Sequence, residues 1–146
     1  CPQGNWLCAD LSQPEVWAGL AELRADLVIC SDVIEHLPDP LQLLQRLGGL
    51  IGPTGHALVS TPDRSRLEGR DPLGPPLNPL HIREWIPEEF KLLVESAGLE
   101  VVEMHHFFPR GYSPTVANFR RLVKRALQFQ ALPDRRNTMT FLLRTA

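Results

Sequence analysis

The segment Asp26-Leu27-Val28-Ile29-Cys30-Ser31-Asp32-Val33-Ile34-Glu35-His36-Leu37-Pro38-Asp39-Pro40 constrains the fold more than any other part of the chain. Asp26 to Cys30 is a continuous apolar run rather than an alternating one, which predicts a strand buried on both sides. Polar side chains crowd in directly after it: Ser31, Asp32, Glu35 and His36. Asp39 is a good helix N-cap, and Pro40 suits the first helical position. An apolar strand that ends in polar groups and feeds straight into a helix is the unit from which an open α/β sheet builds a ligand crevice at its carboxyl edge.

The rest of the chain supplies more such units. Trp6-Leu7-Cys8-Ala9 reads as a short strand closed by Asp10-Leu11. A helix is expected from Ser12 or Gln13 to Arg24, with Pro14 in its first turn and Val16, Trp17, Leu20 and Leu23 on one face. Leu41, Leu44 and Leu47 follow Pro40 at helical spacing, Leu43 widens their face, and Gly48-Gly49 end the helix. Residues 51–55 read as a turn and His56 to Ser60 as a strand that ends in Thr61-Pro62-Asp63. Residues 64–80 form a loop rich in proline, glycine and charge, of a length that usually carries function. Pro87 to Ala97 is a helix with Phe90, Leu93, Val94 and Ala97 inward, capped by Gly98. Leu99 to Phe108 is a strand, Pro114 to Leu132 a basic amphipathic helix and Met139 to Leu143 a final strand. This alternation predicts a single α/β domain over residues 1–146: a mostly parallel sheet with helices on both faces. The last two strands, separated by a basic helical insertion at 110–136, close it with an antiparallel edge.

Composition narrows the function. The 146 residues suffice for a core, and a net charge of -2 gives no sign of nucleic-acid binding. There is no apolar run of ~18 residues or more. The chain starts at Cys1-Pro2, with neither a start methionine nor a basic leader or signal peptide. Cys1, Cys8 and Cys30 are too few and wrongly spaced for a disulfide framework, so free thiols in a reducing cytoplasm are expected. No basic residue adjoins Cys30 to stabilise a thiolate.

Chemistry is expected where strands end: at Asp10-Leu11, at Cys30 to His36 and at Ser60 to Asp63. Asp10 could accept a hydrogen bond from an exocyclic amine while Leu11 packs on an aromatic ring; as readily, Asp10 is the acid that opens a helix. Ser31 and Asp32 read as holders of a polar ligand or as a solvated turn. His36 is a candidate general base near neutral pH, and as readily a histidine that caps the next helix or contacts backbone. His81 reads as a residue closing over a substrate or as a structural contact to Trp85. Neither His-x-x-x-His nor Cys-x-x-Cys is present, so no metal is expected. The basic helix 114–132 either meets an anionic membrane or lipid-linked acceptor or lays its apolar face on the domain.

Asp26 to Pro40 resembles the fourth-strand motif of class I S-adenosylmethionine-dependent methyltransferases, closest to the small-molecule branch labelled type 11, 12 or 23. His56 to Pro62 resembles the fifth strand of that family. Asn78-Pro79-Leu80-His81-Ile82-Arg83-Glu84-Trp85, with Pro87 to Phe90 and Ser96 to Leu99, is similar to its lid and following helix. The resemblance implies a Rossmann-like sheet, S-adenosyl-L-methionine as cofactor, and methyl transfer to O, N or C of a small acceptor. It also implies residue roles: Asp10 and Leu11 at the adenine; Cys30, Ser31 and Asp32 near the methionine portion; Val33 and His36 facing the cofactor or acceptor, Val33 as a cofactor contact and His36 as catalytic base; and Glu35, Thr61 and His81 around the acceptor.

Three departures stand out. The family's first strand, glycine-rich loop and ribose-binding acid have no counterpart here, so the N-terminal strands are expected to be missing and the Asp26 strand to lack a neighbour. A preceding portion, a second copy in a homodimer, or a rearranged fold would resolve this. Ile86 stands where the family has a polar N-cap. The insertion at 110–136 matches nothing in the family. The alternative function is therefore a non-catalytic remnant that serves as a partner-binding or dimerisation module.

Overall fold

The computed structural model describes residues 4, 7–67, 74–76, 78–107 and 137–146. In chain order the elements are α1 (Pro14–Ala18), β1 (Ala25–Ser31), α2 (Pro40–Leu50), β2 (Ile51–Pro62), α3 (Pro87–Ser96), β3 (Leu99–Phe107) and β4 (Thr138–Thr145), with single 3-10 turns at Ile34–His36 and Arg64–Arg66. The strands form one sheet in the order β1-β2-β4-β3. β1 and β2 run parallel, with Leu27 opposite His56 and Ser31 opposite Ser60. β4 runs antiparallel to both β2 and β3.

The local chemistry explains the elements. The Asp39 carboxylate accepts the Gln42 N–H at 2.9 Å and, with Pro40 in the first turn, starts α2. α3 opens without a polar side chain at Ile86; instead the Glu89 carboxylate accepts the Ile86 N–H at 3.4 Å. Gly98 ends that helix at φ +78°, a conformation glycine adopts without steric cost. Helices α2 and α3 touch each other and the sheet, which places both on one face. Between them and the sheet lie Leu43, Leu44, Leu47, Phe90, Val94, Ala57, Val59, Phe141 and Leu143, all buried. Phe90 sits at the centre, its ring 5.5 Å from Trp85 and 4.8 Å from Phe141. Each of these side chains larger than alanine contributes about 1.5–3 kcal/mol by leaving water.

Several expectations are corrected. β1 is not buried on both sides: Leu27 is 53% and Ile29 64% exposed, and only Cys30 is fully buried. Among the described residues no strand pairs with its outer edge and no long helix covers its second face, so only one side has an apolar neighbour. Leu7 to Asp10 is exposed and not a strand, because a strand needs a partner for its backbone groups and none is there among the described residues. The helix expected to reach Arg24 ends at Ala18, followed by turns, and Leu23 is exposed. α2 continues through Gly48 and Gly49 to Leu50. The expected turn at 51–55 lies inside β2, as an irregularity between the Ala25–Ile51 and Leu27–His56 pairs. The antiparallel strand, β4, is inserted beside the edge; the edge itself, β3, runs parallel to β1 and β2. The basic insertion at 110–136 and part of the 64–80 loop lie outside the described residues.

Candidate functional site

The carboxyl ends of β1 and β2 lie side by side, and there the predicted residues meet. The Ser31 and Ser60 hydroxyls are 2.8 Å apart, and Ser60 also donates to the Asp32 carboxylate at 3.3 Å. The Asp32 N–H donates to the Ser60 carbonyl at 3.1 Å, extending the ladder one residue past β1. Asp32 then breaks direction with φ 52°, the left-handed region that a residue with a side chain enters at a steric cost. That break turns the chain into the 3-10 turn of Ile34 to His36 and leaves Ser31 and Asp32 exposed.

Ile34 and Glu35 are buried, whereas His36 is exposed. Glu35 is buried and accepts the Thr61 hydroxyl at 3.1 Å. Desolvation raises its pKa above the ordinary carboxylate value, and the Asp32 charge adds to this; its hydrogen bonds and His36 act the other way. The Glu35 carbonyl accepts the N–H groups of Ile82 and Arg83, at 2.8 and 3.3 Å, which ties the 78–85 segment over the turn. As a result the His81 ring sits edge-on to His36, with centroids 4.8 Å apart. His36 Nδ1 lies 2.8 Å from the Leu80 carbonyl, and His81 Nδ1 lies 2.7 Å from the buried Glu84 carboxylate. The Asn78 amide nitrogen lies 2.9 Å from His81 Nε2.

Ser31, Asp32, Glu35, His36, Thr61 and His81 thus form one connected cluster. Thr61 is wholly buried behind Glu35 and holds it in place. The Cys30 side chain is buried in the core, and burial pushes its thiol up to about 11. Val33 is half-buried against the core beside this edge. Asp10 and Leu11 stand apart: among the described residues no hydrogen bond links them to the cluster. The Asp10 carboxylate accepts the Ser12 N–H at 2.9 Å, and this bond lowers its pKa. The Leu11 carbonyl accepts Trp17 Nε1 at 2.8 Å, and Arg46 of α2 lies over the Trp17 ring.

Ser60, in the Ser60 to Asp63 strand end expected to carry chemistry, joins the cluster, while Asn78 and Glu84 complete it without having been singled out. The signal available for Glu84 was a carboxylate flanked by Arg83 and Trp85 three residues after a histidine. A further buried carboxylate, Asp63, holds the Ser65 hydroxyl at 2.6 Å and His106 Nε2 at 2.7 Å, which locks the end of β2 to β3.

Comparison with known proteins bears on the family and the fold. A family model described as a methyltransferase domain matches residues 3–104. The chain is 42% identical over 83 residues to a probable S-adenosylmethionine-dependent methyltransferase of Mycolicibacterium smegmatis, covering 56% of this chain and 31% of that protein. It is 36% identical over 97 residues to one of Mycobacterium tuberculosis, covering 62% and 34%. The chain thus spans about a third of the length of the curated relatives it matches. Its fold is similar to that of a SAM-dependent methyltransferase from Archaeoglobus fulgidus, with a TM-score of 0.62 at 17% identity over 97% of this chain and 68% of that one. An S-adenosylmethionine-dependent methyltransferase from Clostridium acetobutylicum gives 0.58 at 10% identity over 96% and 64%. These two likenesses are of fold alone. The family model, spanning both strand ends that build the cluster, carries the assignment: the chain belongs to the methyltransferase-domain family.

Proposed function

We propose that the protein carrying this chain transfers a methyl group from S-adenosylmethionine to an O, N or C atom of a small acceptor. The observation that carries this reading is the polar cluster at the carboxyl edge of β1 and β2, hinged on the left-handed Asp32. The residues present fit one side of such a cofactor. Exposed Ser31 and Asp32 offer hydroxyl and carboxylate groups to the polar end of its methionine portion, with half-buried Val33 beside them. Asp10, ionised at neutral pH, offers an acceptor for an adenine amine next to apolar Leu11. When bound, the cofactor supplies an electrophilic methyl on a sulfonium; the protein chiefly positions.

His36 and His81 stand on the acceptor side of Asp32, where the proton of an acceptor hydroxyl or amine must be handled. Thr61 and Glu35 hold that side rigid from beneath. Incubation of the purified protein with methyl-labelled S-adenosylmethionine and a panel of small hydroxylated and amine acceptors tests the reading. Label should pass to at least one acceptor and fall tenfold or more in His36→Ala. Transfer that is unchanged in His36→Ala and Asp32→Asn would contradict it.

A further inference from the structure

We infer that Glu35, His36 and His81 form a binding site for a divalent transition-metal ion at the acceptor side of the cluster. One ligand atom from each of the three lies within 4.8 Å of the other two. Two imidazoles and one carboxylate suit an ion of the zinc, iron or manganese class, whereas Mg²⁺ and Ca²⁺ prefer an all-oxygen shell. Spacing in the sequence hides the set, because His81 arrives from a distant segment through the backbone bonds to the Glu35 carbonyl.

The hydrogen bonds around the two rings carry the argument further. A carbonyl only accepts, so the contact to Leu80 O makes Nδ1 of His36 an N–H donor and leaves its lone pair on Nε2. Asn78 Oδ1 accepts the Leu80 N–H at 3.0 Å, which fixes the amide with its NH₂ toward His81 Nε2. That nitrogen therefore accepts, and Nδ1 of His81 donates to the Glu84 carboxylate. Both rings are held in the Nε2 lone-pair tautomer by an acceptor behind Nδ1, a carboxylate for one and a backbone carbonyl for the other. This is the outer-shell arrangement that orients metal-ligating histidines. Glu35 is held in turn by Thr61. Binding requires the Asn78 amide to move aside and the three groups to close to roughly 3.3 Å, the spacing that ~2.0–2.1 Å bonds impose.

The role of the ion rests on the methyl-transfer reading: it lowers the pKa of an acceptor hydroxyl, so that the proton leaves to solvent at neutral pH. Its binding does not rest on that reading. Cobalt(II) titrated into chelator-treated protein, followed by visible absorption and calorimetry, tests the site. One equivalent should bind, Zn²⁺ should displace it, and His36→Ala and Glu35→Gln should each weaken binding tenfold or more. His36 is exposed, so its replacement leaves the folded core intact. Glu84→Gln should weaken binding about tenfold through His81. Absence of uptake by folded protein would overturn the site, as would uptake unchanged in both His36→Ala and His81→Ala, for which the surface pair Glu103–His105 would be the alternative location. Binding of S-adenosylhomocysteine without cobalt uptake would remove the metal and leave the methyl-transfer reading; cobalt uptake without S-adenosylhomocysteine binding would do the reverse.

Discussion

The Thr61 hydroxyl donates to the Glu35 carboxylate at 3.1 Å, and both side chains are buried. This bond joins β2 to the turn that carries His36. It also stabilises a carboxylate that has lost most of its water. Thr61→Val keeps the shape and removes the donor, leaving a buried acceptor less satisfied. A destabilisation of about 1–3 kcal/mol is expected, read from urea unfolding. An unchanged midpoint would show that Glu35 is held by other groups.

Gly55 sits where β2 passes Ala25. A Cβ there would lie 2.5 Å from the Ala25 carbonyl oxygen and 2.9 Å from Ile51 Cγ2. The oxygen belongs to backbone and cannot swing away. Gly55→Ala should cost about 1–3 kcal/mol, while Gly49→Ala, where nothing lies within 4 Å, should be tolerated. Thermal unfolding of the two variants side by side distinguishes them.

The Phe90 ring bridges Trp85 and Phe141, so truncating it empties the space between α3 and the sheet. Phe90→Ala should lose about 3–5 kcal/mol, a large share of the stability of a domain this size. A loss below about 1 kcal/mol by denaturant titration would show the core closing over the cavity.

Cys30 makes the pH dependence specific. Burial first, then the charges of Glu35 and Asp32, raise its thiol from 9.0 to about 11. An unfolded chain therefore releases this proton at lower pH than the folded one. The stability involved is complete below pH 9 and is lost between pH 9 and about 11, by about 2–3 kcal/mol. Unfolding titrations on Cys30→Ala should show a flatter profile over that range. Exposed Cys8 should react with iodoacetamide near pH 8 while Cys30 does not.

Much of this was legible in the sequence, and the gaps have physical causes. Asp39-Pro40 and Gly98 marked helix ends because capping is local chemistry. Ser31, Asp32, Glu35 and His36 were legible as a cluster because they follow a strand within a few residues. Burial on both sides of β1 was misjudged: an apolar run records what a strand tolerates, and Leu27 and Ile29 meet no covering element among the described residues. The helix after Pro14 was overextended because apolar spacing alone does not stabilise a helix that packs little: none of its residues is buried, and Trp17 ties it to the Leu11 carbonyl. Asn78 and Glu84 were not singled out because their roles depend on partners brought together by the Glu35 carbonyl.

The central claim is that the carboxyl edge of β1 and β2 holds a methyl donor. Calorimetric titration of S-adenosylhomocysteine into the purified protein tests it most directly. The account predicts binding of micromolar strength, about -8 kcal/mol, weakened roughly tenfold by Asp32→Asn and by Asp10→Ala. Folded protein that binds nothing, or binding that ignores both substitutions, would contradict it.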